Sequence, residues 1–404
     1  MVMPALPFPE NGADQSDRAS GIRQLIRLGY EVRVIAKRTP WQSDELIDAV
    51  RKELKVPVIC VPYVYSNKVL SGGEKLKKII RKLFHPLFWD GAAMEYAEPM
   101  IRAAVAHEIE TWRPDIVWFE YTYLWPLYRL ARKKKIPIIT RSANFEPAHF
   151  LQEDGRSLLN MMKYLAKYMS EFLIARWSDV VFAITPREAA IYRSLGAKRV
   201  TTLPLRGLSS ILAEKHDIRE HKPLQILFMG STYSVSHNKA ALRMVLEEIA
   251  PRLLKEAPDD FHITITGRRL PKDLEHLVKD NVTYVGFQDA EAYSKLLAAT
   301  DIALIPSLFG AGMQQKIFEP LSAGVPTVTA DRGLAGYPFH DGVSVLCASD
   351  AAGFISALLE LRDVRKRKAL SEASQGIARR LFSRDILDAT VTGGIGKVCG
   401  TKGN

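Results

Sequence analysis

Residues 302–330 read IALIPSLFGAGMQQKIFEPLSAGVPTVTA, and the order of residue types in this stretch decides the fold. An apolar run, Ile302–Pro306, gives way to a loop holding Gly310, Ala311 and Gly312. A helical pattern starts near Met313, and Gly324-Val325-Pro326 closes it before a second apolar run at Thr327–Ala330. Strand, glycine loop, helix and strand in that order make one crossover unit of a parallel sheet. The helix stops there because Gly adopts the left-handed cap and Pro cannot continue the hydrogen-bond ladder. Lys316 and Glu319 stand at i and i+3, so they share one face near the helix's N-terminal end. A cation there can neutralise a diphosphate, and a carboxylate one turn later can accept hydrogen bonds from both hydroxyls of a ribose. Charge pairs at this spacing are also common on solvated helices, so the pair alone leaves both readings open.

Working outward, short β-branched runs recur between helical stretches along the whole chain. Strands are expected at Met1–Leu6, Val32–Ala36, Val58–Val61, Ile116–Phe119, Ile136–Thr140 and Val180–Ile184 in the first half. In the second half they are expected at Gln225–Met229, His262–Thr266, Val282–Val285, Ile302–Pro306, Thr327–Ala330 and Val343–Cys347. The pattern predicts an α/β protein with two Rossmann-like, doubly wound domains facing a cleft. The expected division is 1–206, a linker over 207–223, a second domain over 224–382, and a C-terminal helix and tail over 383–404. From Thr392 onward the Gly and Thr content predicts fraying. Ligands of such sheets bind at the carboxyl ends of the strands. Four loops there carry glycine: Asn11-Gly12-Ala13, Gly230-Ser231-Thr232, Gly267-Arg268 and Gly310-Ala311-Gly312. Glycine lets backbone amides approach a phosphate, and the next helix adds its positive end.

Composition narrows the classes. The 404 residues are 47% hydrophobic and 25% charged, which excludes a disordered chain and supplies two or three domains. Residues 1–200 hold 31 basic and 22 acidic side chains, against 25 and 23 over residues 201–404, so the net charge of +11 sits mainly in the first half. A basic half suits a nucleic acid, an anionic membrane surface or a phosphorylated ligand. Nucleic acid is set aside because no binding module accompanies the charge. No 18-residue window is free of charged residues, and Met1–Pro9 lacks the make-up of a signal peptide. A cytoplasmic location is therefore expected. Cys60, Cys347 and Cys399 form no CxxC pair, so neither a disulfide framework nor a zinc ribbon is indicated.

The second half resembles the donor-binding domain of GT-B-fold glycosyltransferases, and most closely family 4. The resemblance rests on Phe228-Met229-Gly230, the helix start His237-Asn238, Ile265-Thr266-Gly267, Val282 to Phe287, Tyr293 to Ile302 and Gly310 to Tyr337. It implies that Glu319 holds the ribose of a nucleotide-sugar, and that Lys316 with Gly310, Gly312, Met313, Gln314 and Gln315 faces the diphosphate and sugar. By the same resemblance Gly230, Ser231 and Gly267 approach the phosphates, and the backbone around Val285, Gly286 and Phe287 reads the base. Many family members carry a second Glu eight residues before the first; here that position is Ala311. The first half resembles the acceptor domain more weakly, through Pro7 to Gly12, Leu28 to Val32, Arg113 to Val117 and Ile136 to Glu146. Ala143 occupies the place of a frequent His. Gly12, Ala13, Asn144 and Glu146 are the acceptor-side candidates, with a plain turn and a surface carboxylate as the other reading of the last two. Pro204-Leu205-Arg206-Gly207 departs from the usual Pro-Asn-Gly junction.

The resemblance implies retaining transfer of a sugar from a UDP or GDP donor to a lipid-linked or polysaccharide acceptor, without cofactor. No Asp-x-Asp triplet is present to hold a metal. An epimerase or phosphorylase on the same frame, or a non-catalytic subunit, are the alternatives. Two segments point to an anionic membrane surface. Over residues 72–91, Leu76, Ile79, Ile80 and Leu83 recur among Lys75, Lys77, Lys78, Arg81 and Lys82, and Phe84, Leu87, Phe88 and Trp89 follow. Over Leu158 to Trp177, Met161, Met162, Tyr164, Tyr168 and Phe172 mix with Lys163 and Lys167. Peripheral attachment to the inner face of the cell membrane is the corresponding expectation, beside that of an ordinary amphipathic helix packed on a core.

Overall fold

A computed structural model of the chain describes residues 1–10, 12–63, 72–89, 91–213, 216–230, 232–308 and 312–399. The chain divides into two compact units: Met1–Gly207 with Leu387–Asn404, and Leu208–Ile386.

The first unit is built on a seven-stranded parallel sheet of order β3-β2-β1-β4-β5-β6-β7. Its strands are β1 (Val2–Met3), β2 (Val34–Arg38), β3 (Val58–Pro62), β4 (Val117–Phe119), β5 (Ile138–Arg141), β6 (Val180–Ala183) and β7 (Val200–Thr202). Parallel strands buried on both faces read as unbroken apolar runs, because alternate side chains enter different cores. Met3, Val34, Ala36, Trp118, Ile139 and Phe182 pack into one core. Val2, Ile35, Val117, Phe119 and Ile138 pack into another. β7 was missed in the sequence because it is a three-residue, half-buried edge ending in two threonines, with no apolar run to betray it.

As far as Cys399 the C-terminal segment corrects the expectation of fraying, the rest of it lying outside the described residues. Arg384–Cys399 is a helix whose Leu387, Val391, Ile395 and Val398 are buried in the same core as Met3 and Phe182. One of its glycines, read as a sign of disorder, has a packing reason. A Cβ on Gly394 would lie 2.3 Å from the Phe182 ring, so only glycine lets this helix close on the sheet.

The second unit carries a six-stranded parallel sheet of order β10-β9-β8-β11-β12-β13. Its strands are β8 (Leu224–Phe228), β9 (Phe261–Thr266), β10 (Val282–Gly286), β11 (Ile302–Ile305), β12 (Thr327–Thr329) and β13 (Leu346–Cys347). Ile226, Phe228, Ile263, Ile265, Leu304 and Val328 anchor its core. The segment expected as a linker is structured where described. Arg206–Ala213 forms a 3-10 helix, and Arg367 Nη2 donates to the Arg219 carbonyl at 2.7 Å, which ties the segment to the second unit.

Candidate functional site

The carboxyl ends of β8, β9, β10 and β11 are neighbours in the second sheet, so the loops that follow them converge. Gln314, in extended conformation, caps the helix Gln315–Ala323 without a side-chain hydrogen bond, which leaves that helix's first amides open. Ser307 Oγ donates to Gln314 Oε1 at 2.8 Å and fixes the approach. Gly312 takes φ +71°, a conformation that favours glycine, and Met313 is buried beside it. Gly310 and Ser231, both sequence candidates, lie outside the described residues.

Lys316, in the first turn, donates from Nζ to Asn238 Oδ1 at 3.2 Å. Asn238 is held in turn, its Nδ2 donating to the Thr232 carbonyl at 3.2 Å. Asn238 sits in the first turn of the helix Ser236–Met244, whose cap, Val235, likewise offers no side-chain acceptor. Burial pushes the Lys316 ammonium down to about 8, and among the described residues no carboxylate offsets that effect. A desolvated cation with an amide partner, near the N-termini of two helices, suits an anion.

Glu319, one turn on, is buried. Burial raises its pKa, while Gln315 Nε2 and the Tyr293 hydroxyl donate to the carboxylate and pull the other way. Tyr293 also reaches Met229 Sδ at 3.1 Å, which links the helix after β10 to the end of β8. Asn238 and Tyr293 entered the sequence reading only as motif landmarks. Their partners are 78 and 26 positions away, and spacing within one helix cannot reveal them.

The glycine loops divide by physical reason. Gly230 is required by packing, since a Cβ there would meet the Thr266 carbonyl oxygen at 2.1 Å and the Tyr233 hydroxyl at 1.9 Å. Gly267 (φ +127°) and Gly286 (φ +72°) carry positive backbone angles and bond to each other, Gly267 N donating to Gly286 O at 2.9 Å. Beside them the Arg268 guanidinium lies 3.7 Å from the Phe287 ring centroid, and that ring is half exposed. The pair makes a flat, cationic platform of the kind on which a base stacks. Gln288 Nε2 already occupies the Val285 carbonyl at 2.7 Å.

In the first unit, Gly12 caps the helix Ala13–Arg27 in extended backbone that any residue adopts, and Ala13 opens that helix. Asn144 accepts from Ser142 Oγ through its carbonyl at 3.0 Å. Glu146 Oε1 accepts from the Tyr121 hydroxyl at 2.9 Å, and Arg18 lies over the Tyr121 ring. Sequence reasoning missed what lies beneath. Glu188 Oε1 accepts from Phe145 N at 3.0 Å, and Tyr192 bridges Glu171 Oε2 (2.7 Å) and Ser142 Oγ (2.8 Å). Burial pushes Glu171 up to about 8 and Glu188 up to about 7.

Arg206 was also missed. Its guanidinium reaches Asp17 Oδ2 at 2.9 Å and Glu120 Oε1 at 2.8 Å, and Arg141 Nη2 reaches Asp17 at 3.3 Å. Burial alone would raise the Asp17 carboxyl, but Arg206 and Arg141 outweigh it and hold the group at about 2. A Cβ on Gly21 would fall 1.9 Å from Arg206 Nη1, so the helix needs glycine where it faces this cluster.

Parallel sheets with glycine loops and helix N-termini gathered at the carboxyl ends of the strands define a doubly wound α/β protein of the class that binds ligands there. The description "glycosyl transferases group 1" matches residues 223–363, and "glycosyl transferase 4-like domain" matches residues 19–206. The chain belongs to this glycosyltransferase family and is a transferase. A putative colanic acid biosynthesis glycosyltransferase, WcaL of Escherichia coli K12, is 21% identical over 366 residues, covering 86% of this chain and 85% of WcaL. Among solved structures, Anabaena HepE in complex with UDP-glucose superposes at a TM-score of 0.62 with 14% identity over 98% of each chain. Sucrose-phosphate synthase of Thermosynechococcus elongatus superposes at 0.67 with 14% identity, over 99% of this chain and 98% of its own. Among the described residues no helix is long and apolar enough to cross a membrane.

Proposed function

We propose that this glycosyltransferase moves a hexose from a nucleoside-diphosphate sugar, UDP or GDP, to a lipid-linked or cell-envelope polysaccharide acceptor, with retention and without a metal ion. Lys316 carries the reading: it is a partly buried cation lowered to about 8 by desolvation and paired only with an amide among the described residues. The diphosphate would supply the missing anion and favour the ammonium form. Glu319 would accept hydrogen bonds from the ribose hydroxyls, beside those it already accepts from Tyr293 and Gln315. The Arg268–Phe287 platform would take the base.

In the transfer the anomeric C–O bond breaks and its electron pair goes to the diphosphate. Lys316 and the positive ends of the two helices stabilise that charge, the role for which fixed dipoles and cations serve best. The acceptor hydroxyl bonds on the same face of the sugar, and its proton passes to the departing phosphate. HepE's complex with UDP-glucose favours a UDP donor, and WcaL's described role favours a polysaccharide acceptor. The enzyme would work on the cytoplasmic side, where nucleotide-sugars are available.

The test is transfer from UDP- and GDP-hexoses to a lipid-linked glycan extract in excess EDTA, with the product's anomeric configuration read by NMR. Undiminished transfer with the donor's configuration kept is the expected result. Activity that collapses in EDTA and returns with magnesium, or an inverted product, would contradict the reading.

A further inference from the structure

Within the first unit, two helices leave apolar stripes uncovered. On Leu158–Trp177 the exposed residues Leu158, Met161, Met162, Leu165 and Met169 recur at three- and four-residue steps, with Leu158 82% and Leu165 62% exposed. On Gly72–Phe84, Leu76, Ile79, Ile80 and Phe84 do the same, with Phe84 77% exposed. A helix normally buries such a stripe, so two exposed ones in one unit call for a covering partner. The first of the two in the chain, Gly72–Phe84, runs directly into the short turn Pro86–Phe88, which packs on the second, Leu158–Trp177. Phe88 stacks on Trp125 at 6.1 Å, and Trp125 Nε1 donates to Ser170 Oγ at 3.1 Å, which pins the turn to the longer helix.

Charge selects the partner. From Lys75 to Trp89 the sequence holds five basic residues and no carboxylate, and from Arg156 to Ser170 it again holds no carboxylate. Lys75, Lys77 and Arg156 are exposed at the margins of the stripes. Apolar faces fringed by cations, with aromatic side chains such as Tyr168 at their edge, suit an anionic bilayer. Position agrees. β5 ends at Arg141, the helix Leu158–Trp177 returns the chain to β6, and its exposed first half therefore lies toward the end of the sheet that carries Asn144 and Glu146.

We infer that these two helices together form a docking surface for an anionic lipid bilayer, laid in the plane of the interface beside the acceptor end of the first unit. The inference rests on the proposed lipid-linked acceptor for its purpose, and its test is independent of that acceptor. The full chain is floated with vesicles of phosphatidylcholine alone and of phosphatidylcholine with about 30% phosphatidylglycerol, neither containing glycan. Recovery on the anionic vesicles only, falling with salt, is the expected result. Leu158→Glu with Leu165→Glu should lower that recovery about tenfold without lowering the melting temperature, since both side chains are exposed. Lys75→Gln with Lys77→Gln should weaken it and flatten the salt dependence.

Equal recovery on both lipids, recovery on neither, or an unaffected leucine variant overturns the proposal. So does a concentration-dependent dimer abolished by the same leucine pair, which would make a second copy the covering partner. Vesicle binding without transfer activity would count against the acceptor alone.

Discussion

Lys316→Met is expected to lower kcat about 10²- to 10³-fold, the usual loss when one fixed donor to a developing negative charge is removed. The same change should leave the ligand-free protein at least as stable at neutral pH. Methionine has similar length, and the substitution removes a cation that burial has already made costly. The sign of the pH dependence follows from the lowered pKa. Folding takes the group from 10.5 to about 8, so the unfolded chain binds the proton more tightly between those values. The lysine's unfavourable contribution to stability is therefore complete below about pH 8 and fades as pH rises towards 10.5. Nucleotide-diphosphate affinity runs the other way and should fall above about pH 8, where the free site loses its charge. Calorimetric titration at pH 7 and 9.5 checks this: native affinity drops, and the methionine variant binds weakly at both. A pH-independent native affinity would remove Lys316 from the diphosphate.

Arg206→Met should be the most destabilising single change outside the apolar cores, by about 3–5 kcal/mol, because it strands two buried carboxylates. Asp17 would keep Arg141 and the backbone N–H of residue 206, and among the described residues Glu120 would keep the Trp118 indole N–H at 2.9 Å. Urea denaturation measures the loss. Its pH dependence separates a charge effect from a packing effect. Native Asp17 is depressed to about 2, so its stabilising contribution is present above its unfolded value of 3.8 and is lost as pH falls towards 2. The variant should lack that acid limb, since protonation relieves its stranded carboxylates. A variant as stable as the native chain, with the limb intact, would show that the cluster does not hold the first unit together.

The two halves were legible to different depths. In the second half the strands are apolar or β-branched runs with the ligand loops following directly, so the sheet and the Lys316–Glu319 face could be read from local spacing. The reason for Gly230 could not, because it depends on Thr266 and Tyr233 packing across two loops. In the first half the decisive polar cluster joins Asp17 to Arg206 across 189 positions, which no periodicity records. A C-terminal helix was expected, but the order and packing of its part beyond Thr392 went unread for a related reason. Its Leu387, Val391, Ile395 and Val398 do recur at helical spacing, but Gly393, Gly394 and Gly396 masked the pattern, and only the Phe182 ring explains why glycine stands at 394. The basic amphipathic segments were visible from sequence, whereas their apolar stripes being outward needed the structure.

The central claim is that the second unit binds a nucleoside diphosphate through Lys316 and Glu319. Its most direct test is thermal melting of the native chain and of Glu319→Ala with UDP, GDP, ADP, TDP and CMP at about 1 mM. A ligand at a hundred times its dissociation constant stabilises by about 2.7 kcal/mol, or about 5 °C or more for a unit of this size. The account predicts such a shift with UDP or GDP and its loss in Glu319→Ala. No shift with any nucleotide, or a shift that survives in Glu319→Ala, would contradict it.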